Sequence, residues 1–591
     1  MLGLRRGALE ANLLPFRDLK LGFADAAIEA SRAPYLLTEG FLNLDGVVEK
    51  LSTGERFLVL GNKGTGKTAI AEHLKFREGP TTFVRITDLA TFPYNDLRQI
   101  VEDDQVEPTF PSAWSWLLLV SFLSSFAEDN GGNVFQNFEL SRMHSTLSSA
   151  GLLPSAGNLN ELLTLSRKRH YRVDLPFGIQ IDADDEKAED LHLPFFIEKL
   201  KTALLQFESP SSHFLIIDGL DEVLNLAESH LEPVSGLVSE SFRVNSAFQK
   251  SKISAKIILL CRTDLFDRLP GSNTNKIRQD CSIRMNWYTD TYSSSPLWAV
   301  ANLRAGLQTG TAIDILKSYF PAKVQRTDPY SLRVLPWQPA ETGLYLLRHT
   351  RYTPRDFVQL LRSIQGESKQ IRVLPGEIAS ALQDYANDYF LPEIRNELTG
   401  YCANEEVSAL IEAFGLIRDS RFTLATLESK VSETVRPALP KMLRVLFDCS
   451  AIGNWEETER SAGFRTYRYK NRNCRLDLHA VITLHPALAL AFNATDPINE
   501  RKPSGELLSH HDKYNHHAKS ATQRYGTVTF ATPTYGFITD RHGETFHYRR
   551  SDVIDGYTIV LQEGNEVSFT KAPRKDPKYQ HFSALNVRRI E

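Results

Sequence analysis

Eight consecutive residues, from Gly61 to Thr68, have the types and spacing of a phosphate-binding loop. They read Gly-Asn-Lys-Gly-Thr-Gly-Lys-Thr, after the apolar run 57–60 and before a helical pattern. Glycines let consecutive backbone N–H groups point at one phosphate, and the start of a helix adds its positive dipole end. The second lysine then reaches the β- and γ-phosphates, and the last threonine binds Mg²⁺. The pattern predicts ATP and Mg²⁺ as cofactors. The predicted nucleotide-binding residues are Gly61, Asn62, Lys63, Gly64, Thr65, Gly66, Lys67, Thr68 and Ala69.

Asp218 follows the apolar run 213–217, so it stands at the end of a predicted buried strand. A carboxylate in that place completes a Mg²⁺ site with Thr68. The next residue is glycine, where many ATPases have the catalytic glutamate, and the acids that follow are Asp221 and Glu222. We expect one of these two to orient the attacking water. The alternative interpretation of Asp218 is a turn residue, because Asp-Gly is a common turn pair.

These motifs, within residues 20–400, resemble those of a bacterial P-loop ATPase of the AAA+/STAND superfamily with a helical lid. The order hydrophobic-Asp-Gly-x-Asp-Glu is similar to that of STAND proteins, including the NACHT group, and this resemblance favours Asp221 as the residue that orients water. One departure is the long distance between Lys67 and Asp218. It implies a mostly helical insertion, over about residues 95–210, for a partner or substrate.

Two further segments resemble the nucleotide sensors of that superfamily. The run 255–260 ends in Cys-Arg-Thr, so Arg262 and Thr263 are the candidates for the first sensor, whose strand lies between the two metal-binding motifs. The segment 349–358 is similar to the second sensor, and its arginine is Arg355. A guanidinium fits phosphate oxygens bidentately. The alternatives are a surface salt bridge for Arg262 and an exposed arginine in a helix cap for Arg355. The predicted catalytic residues are Lys67, Asp218, Asp221, Glu222, Arg262 and Arg355.

The last seventy residues resemble a cold-shock domain. The matching segments, in order, are 526–530, 535–538, 546–553, 561–569 and 584–588. The resemblance implies a five-stranded OB barrel that binds single-stranded RNA or DNA. The loop between the first two strands is shorter than in that family.

Alternation independently places Tyr535 and Phe537 on one face of a strand, where aromatic rings stack on unpaired bases. His547 and Arg549 stand where the family has Phe and His, so they are expected to supply part of the stacking. The alternative is a barrel that docks a protein and keeps its aromatic residues in the core. The predicted nucleic-acid-binding residues are Phe530, Tyr535, Phe537, His547, Arg549 and Lys571.

Strands and helices must bring these motifs together. Apolar runs alternate with helical segments up to about residue 295, which predicts a buried parallel sheet with helices on both faces. Three helical segments within 404–448 and the alternating run 465–469 have the order of a winged helix, whose third helix either binds duplex DNA or packs on the ATPase core.

The predicted fold class is multidomain, with α/β, α and β parts: a P-loop NTPase parallel sheet with a helical insertion and lid, a winged-helix-like block and a C-terminal five-stranded OB barrel. The predicted domains are an N-terminal lead-in (1–40), the P-loop NTPase core with its insertion (41–295), the helical lid (296–400), the winged-helix-like domain (401–494), a linker (495–523) and the cold-shock-like domain (524–591).

Composition limits the partners that can be expected. The chain has 68 Lys and Arg against 72 Asp and Glu, so a nucleic-acid surface must be a local patch. Five scattered cysteines indicate neither a disulfide framework nor a zinc site, which fits a cytoplasmic location. The longest apolar stretch, 114–122, is too short to cross a bilayer, so no membrane partner is expected.

Two hypotheses of different class follow. The first is a Mg²⁺-dependent ATPase whose nucleotide state is coupled to binding of single-stranded RNA or DNA by the barrel. The second is a STAND-like signalling or antiviral-defence switch that binds ATP, hydrolyses it slowly and oligomerises on sensing a trigger. The expected partners are nucleic acid, further copies of the chain and an unidentified protein partner or effector.

Overall fold

The structure is a computed structural model in which the chain forms two compact units, Met1–Pro497 and Ile498–Glu591. It describes residues 13–94, 96–97, 110–153, 159–168, 193–220, 231–271, 274–327, 334–399, 401–458, 461–471, 473–495, 523–532, 535–549, 552–553, 561–575 and 582–589.

A five-stranded parallel sheet forms the centre of the first unit. Its strands are β1 (Leu58–Gly61), β2 (Thr82–Asp88), β3 (Ser212–Asp218), β4 (Ala255–Arg262) and β5 (Ser282–Arg284), in the order β2-β3-β4-β1-β5. Every neighbouring pair in this sheet is parallel, so the prediction of a parallel sheet is confirmed. The carboxyl ends of all five strands therefore lie at one edge, with β4 between β1 and β3.

Both faces of this sheet are buried, as the continuous apolar runs of its strands require. Along β4, Ile258 and Leu260 belong to one hydrophobic core, and Ile257 and Leu259 belong to a second core on the other face. Successive side chains of a strand point to opposite faces, so one strand is shared by two cores. This arrangement fixes the register of β4, and with it the position of the residues at its tip.

Helices pack around the sheet. Among the described residues, the four helices that begin at Phe110, Phe138, Leu159 and Leu193 form the predicted helical insertion between β2 and β3. The helices of the sheet domain are α1 (Ala26–Arg32), α2 (Tyr35–Thr38), α3 (Val47–Thr53), α4 (Lys67–Lys75), α5 (Phe110–Ala127), α6 (Phe138–Ser149), α7 (Leu159–Lys168), α8 (Leu193–Leu204), α9 (Leu231–Lys250), α10 (Thr263–Arg268) and α11 (Thr274–Cys281).

Helix α5 is the apolar centre of this insertion. In the part of the chain that the structure describes, it is the one helix long and apolar enough to cross a membrane, and 78% of its 18 residues are buried. The helix is longer than the apolar stretch 114–122 that the sequence shows. Trp114 Nε1 donates to the Pro233 carbonyl at 2.8 Å, and Trp116 Nε1 donates to Ser166 Oγ at 3.0 Å. These contacts join α5 to α7 and α9.

The lid region is not wholly helical, which corrects the sequence prediction. An antiparallel two-stranded ribbon lies within it, and prolines at 336 and 339 hide the alternation of its second strand from the sequence pattern. The elements of the region are α12 (Pro296–Thr309), α13 (Ile315–Tyr319), β6 (Lys323–Thr327), β7 (Val334–Glu341), α14 (Thr342–Leu347), α15 (Pro354–Glu367), α16 (Pro375–Asp384), a π-helical turn (Tyr385–Phe390) and α17 (Leu391–Thr399).

The block that follows contains a four-stranded antiparallel sheet with the order β10-β9-β11-β8. Its third helix, α20, packs against α17, and Lys441 Nζ donates to the Tyr401 carbonyl at 2.6 Å. Of the two interpretations of this helix, these contacts support packing on the rest of the unit. The elements are α18 (Asn404–Ile417), β8 (Arg421–Phe422), α19 (Leu424–Glu428), α20 (Leu439–Asp448), β9 (Ile452–Thr458), β10 (Ser461–Thr466), β11 (Val481–Leu484) and α21 (Pro486–Ala491).

The second unit contains a closed five-stranded barrel with the order β12-β13-β14-β16-β15. The β14–β16 pair is parallel and the other pairs are antiparallel. Its core contains Val528, Ile538, Phe546, Val567 and Phe569. The strands are β12 (Gln523–Ala531), β13 (Tyr535–Asp540), β14 (Thr545–Arg549), β15 (Glu566–Lys575) and β16 (Phe582–Arg589).

Candidate nucleotide site and aromatic barrel face

The phosphate loop (residues 61–68) connects β1 to α4 at the carboxyl edge of the sheet. Gly64 and Gly66 have φ values of +80° and +91°, a region that residues with a side chain rarely adopt. Lys67 begins α4, and its Nζ donates to the carbonyls of Gly61 and Asn62, each at 3.3 Å. The lysine ammonium therefore folds over the loop, where it can transfer its hydrogen bonds to phosphate oxygens.

Thr68 and Asp218 are brought together by the fold. Thr68 Oγ1 donates to Asp218 Oδ2 at 2.6 Å, although the two residues are 150 positions apart. The other carboxylate oxygen of Asp218 accepts the N–H of Gly219 at 2.9 Å. A hydroxyl and a carboxylate oxygen in contact are ligands of the type that Mg²⁺ takes. The pair therefore fits the metal that the two motifs predict.

Two other carboxylates lie near this pair. Burial and the neighbouring Asp218 carboxylate raise the pKa of Glu72, on α4. Asp88 ends β2 directly beside the end of β3. The predicted water-orienting residues, Asp221 and Glu222, lie outside the described residues.

Arg262 lies at the tip of β4, between the phosphate loop and Asp218, as the sensor resemblance implies. Its guanidinium, however, donates to Asp264 at 2.9 and 2.7 Å and to Glu397 at 2.9 Å. Arg262 is only 9% exposed. The alternative of a surface salt bridge is therefore wrong, because the buried Glu397 and the half-buried Asp264 bind the guanidinium, whereas the role of Arg262 as a sensor stays a prediction.

Arg355 reaches the phosphate loop through its backbone. Its N–H donates to the Gly64 carbonyl at 3.2 Å, and its Nε donates to the Ala24 carbonyl at 3.0 Å. Thr353 Oγ1 caps α15 by accepting the N–H of Asp356 at 3.2 Å. The first turn of α15 thus contacts the phosphate loop, which places Arg355 at the site instead of on an outer surface.

A buried ion pair holds the loop that precedes α15. Arg351 Nε and Nη2 each donate to the Asp356 carboxylate at 2.8 Å, and Tyr389 OH donates to it at 2.8 Å. Burial alone would raise the pKa of Asp356, but Arg351 lowers it to about 2. The carboxylate therefore stays charged and fixes the start of α15 against the phosphate loop.

Helix α17 presents two carboxylates to this site, and sequence reasoning missed both. Glu393 Oε1 lies 3.1 Å from Lys63 Nζ and 3.5 Å from Arg355 Nη1. Glu397 contacts Arg262 at 2.9 Å and Arg351 at 3.8 Å. Residues four apart share one face of a helix. The Glu-x-x-x-Glu spacing indicates that both carboxylates share one helix face. The basic residues that they contact come from segments far apart in the chain.

Trp287 and Met285 are two more residues that sequence reasoning missed. Trp287 Nε1 donates to the Thr65 carbonyl at 3.0 Å, and Met285 packs against Gly61 in the same region. Both residues follow β5, a strand of three residues that is too short to give an alternating or apolar pattern. They brace the phosphate loop from the side opposite β4.

The barrel carries three aromatic rings in mutual contact. Phe530 and Tyr535 have ring centroids 6.1 Å apart, and Phe537 lies 6.2 Å from each. Phe530 is 42% exposed, and the other two are partly buried. We call these three residues the aromatic face. Its rings present surface to solvent and are not part of the barrel core.

Two of the other predicted nucleic-acid contacts need correction. His547 is 1% exposed, with its ring 5.5 Å from that of Phe537, so it supports the aromatic face from within and cannot stack on a base. Lys571 forms an ion pair with Glu544, and its Nζ lies 3.8 Å from the ring centroid of Phe582. Its charge is therefore largely compensated. Arg549 is exposed at the end of β14.

The strand order and the contact between the two motifs define a P-loop NTPase fold for the first unit. No protein family model and no curated protein sequence matches the chain.

Solved structures with distant similarity to the chain include the following three. The Walker-type ATPase PABY2304 of Pyrococcus abyssi is 11% identical, over 76% of this chain and 93% of that one, with a TM-score of 0.33. The Aeropyrum pernix Orc1 protein in complex with DNA is 12% identical, over 78% of this chain and 96% of that one, with a TM-score of 0.32. Cdc6p from Pyrobaculum aerophilum is 13% identical, over 76% of this chain and 89% of that one, with a TM-score of 0.25.

Proposed function

We propose that the chain is a Mg²⁺-dependent ATPase whose nucleotide state is coupled to binding of single-stranded nucleic acid. The observation that carries the ATPase assignment is the hydrogen bond from Thr68 to Asp218. It joins the two motifs that a P-loop ATPase needs, at the carboxyl edge of a parallel sheet, where such folds bind ligands.

In this proposal each residue of the site has a role. Lys67 binds the β- and γ-phosphates, and Arg355 approaches the γ-phosphate from the first turn of α15. Thr68 and Asp218 hold Mg²⁺, which neutralises phosphate charge when bound. Asp221 and Glu222 remain the sequence-based candidates for orienting water.

The ATPase proposal is tested by Lys67→Ala in the full chain. We expect loss of ATP hydrolysis and weaker binding of a fluorescent ATP analogue, because the ammonium that contacts the phosphates is removed. Lys50→Ala removes an exposed lysine from α3 and serves as the matched control. Hydrolysis that persists at the wild-type rate in Lys67→Ala would refute the assigned site.

Binding of single-stranded RNA or DNA is assigned to the barrel. The strand order, with one parallel pair closing the barrel, supports an OB fold of the cold-shock type. The aromatic face and the exposed Arg549 supply a surface on which bases stack. The competing assignment, a barrel that docks a protein, predicts no affinity for oligonucleotides.

The double variant Tyr535→Ala/Phe537→Ala tests this assignment in the full chain. Stacking contributes about 1–3 kcal/mol per base, so we expect the loss of two rings to weaken binding of labelled oligo-dT and oligo-U by about 30-fold or more. The control is Tyr525→Ala, an exposed aromatic on β12 whose ring contacts Arg541. Equal affinity of the double variant and the wild type would favour the docking assignment.

A second candidate function is the STAND-like switch. The contacts of Glu393 with Lys63 and Arg355 favour it, because a triphosphate has to displace this carboxylate from two basic residues of the nucleotide site. Such a protein would form homo-oligomers and act through a partner or effector. Mass measurement with and without ATP and oligonucleotide separates the two: assembly with slow turnover supports the switch.

A further inference from the structure

Asp88 is an acidic residue beside the metal site that no sequence motif singles out. It ends β2, and its Cα is paired in register with that of Asp218, at the end of the adjacent parallel strand. Beyond this pair, the N–H of Leu89 donates to the Asp218 carbonyl at 2.9 Å. The ends of the two strands are thus joined, and Asp88 lies at the same sheet edge as the Thr68–Asp218 pair.

Gly219 shows where the carboxylate of Asp88 lies. This glycine has a φ of +77°, and a β-carbon added to it would overlap Oδ1 of Asp88 and lie 2.6 Å from the backbone nitrogen of Ala90. Position 219 is the one at which many ATPases carry their catalytic glutamate. In this chain the position has no side chain, and a carboxylate from the neighbouring strand fills the space.

The Asp88 carboxylate is both oriented and accessible. Its Oδ1 accepts the N–H of Ala90 at 2.8 Å, which fixes the direction of the group. The residue is exposed, so water reaches it. A carboxylate fixed next to a phosphate site and open to water can accept a proton from that water.

We propose that Asp88 is the catalytic carboxylate of this site, and this inference rests on the proposed ATPase function. Asp88 accepts a proton from the water whose oxygen attacks the γ-phosphorus of ATP. As the new oxygen–phosphorus bond forms, the bond from phosphorus to the bridging oxygen breaks, and its electron pair leaves with ADP. The proton then passes from Asp88 to the released phosphate.

The experiment compares Asp88→Asn with Asp221→Asn and Glu222→Gln in the full chain with Mg²⁺. Steady-state hydrolysis gives kcat, and a fluorescent ATP analogue gives the Kd. Asparagine keeps the hydrogen bond from Ala90 and removes the proton acceptor. We expect Asp88→Asn to lower kcat by about 100-fold or more and to leave the Kd within about 3-fold of the wild type. The control is Asp384→Asn, an exposed carboxylate of α16, which changes neither quantity.

Three results would overturn the proposal while leaving the ATPase function intact. The first is a wild-type kcat in Asp88→Asn together with a loss in Asp221→Asn or Glu222→Gln. The second is a kcat that recovers when the Mg²⁺ concentration is raised, since that places Asp88 in the metal shell. The third is a Kd that weakens as much as kcat falls, since that indicates a structural role. A wild-type chain that binds no ATP analogue would instead refute the proposed function, and Asp88 with it.

Discussion

Burial decides the charge state of His213, a residue at the start of β3 that the nucleotide site does not use. Its Nδ1 lies 2.9 Å from Ser125 Oγ, and its Nε2 lies 3.4 Å from Asp129 Oδ2. Serine, histidine and aspartate are the residue types of a hydrolase triad, but these three are 4%, 1% and 5% exposed. The group therefore joins α5 to the sheet and does not form an active site.

Burial lowers the pKa of His213 to about 4, below its usual value of about 6.5. The unfolded chain therefore takes up a proton at higher pH than the folded one, so the stability contributed by the neutral ring is complete above about pH 6.5 and is lost as pH falls towards 4. We expect a loss of about 3 kcal/mol over that interval. Burial also lowers the pKa of His485 to about 3, with the same sign.

Urea unfolding at pH 7 and pH 5 measures this effect. In His213→Gln the difference in unfolding free energy between the two pH values should shrink by most of the His213 contribution, because glutamine does not titrate. The exposed His479 provides the control, His479→Gln, which should keep the wild-type difference. An unchanged pH difference in His213→Gln would show that other groups cause the acid sensitivity.

Single residues differ in how far the sequence predicts them. The phosphate loop was predictable because its glycines, its lysine and its threonine act within eight consecutive positions. Arg262 was placed correctly at a strand tip, but its partner Glu397 is 135 residues away. A sequence pattern shows that an arginine is present, whereas only the fold shows which carboxylates compete for it. The same holds for His547, whose place in the cold-shock resemblance predicted a contact with bases but not its burial beneath neighbouring rings.

At the scale of elements, long apolar runs were predictable and short or interrupted ones were not. Strands β1, β3 and β4 have continuous apolar segments that the sequence displays, whereas β5 has only three residues and β7 contains two prolines. Pairing order is also a property of the whole sheet. The position of β4 between the phosphate-loop strand and the Asp218 strand came from the resemblance to a superfamily and not from any local pattern.

The contacts of Glu393, on helix α17, lead to a prediction about nucleotide affinity. Glu393 is 13% exposed, and its partners Lys63 and Arg355 are 28% and 29% exposed, so each pair contributes about 0.2–1 kcal/mol after solvent screening. A triphosphate competes with Glu393 for both cations. We therefore expect Glu393→Gln to lower the Kd for an ATP analogue by about 2- to 5-fold.

Equilibrium binding of the fluorescent analogue checks this expectation. Glu405→Gln removes an exposed glutamate from the first turn of α18 and should leave the Kd unchanged. A Kd that rises in Glu393→Gln would mean that the carboxylate organises the empty site for binding and does not compete with phosphate.

At the scale of the whole molecule, the two units have separate hydrophobic cores. A chain that ends at Pro497 therefore keeps both hydrophobic cores that flank the sheet of the nucleotide site. We expect it to bind the ATP analogue with the wild-type Kd and to lose affinity for oligo-dT and oligo-U. Fluorescence anisotropy measures both. Oligonucleotide binding that survives the truncation would place the nucleic-acid surface in the first unit, where the four-stranded sheet and α20 are the candidates.

Helix α17 also packs against α20, in the block with the four-stranded sheet. Its nine residues span about 13 Å at 1.5 Å per residue, and a helix of that length is a stiff rod. One side of the rod holds the cations of the phosphate loop and the sensor strand, and the remainder touches a different part of the protein. We expect a triphosphate that takes Lys63 and Arg355 from Glu393 to loosen the hold on this helix, so that binding at the sheet edge changes the packing of α17 on α20.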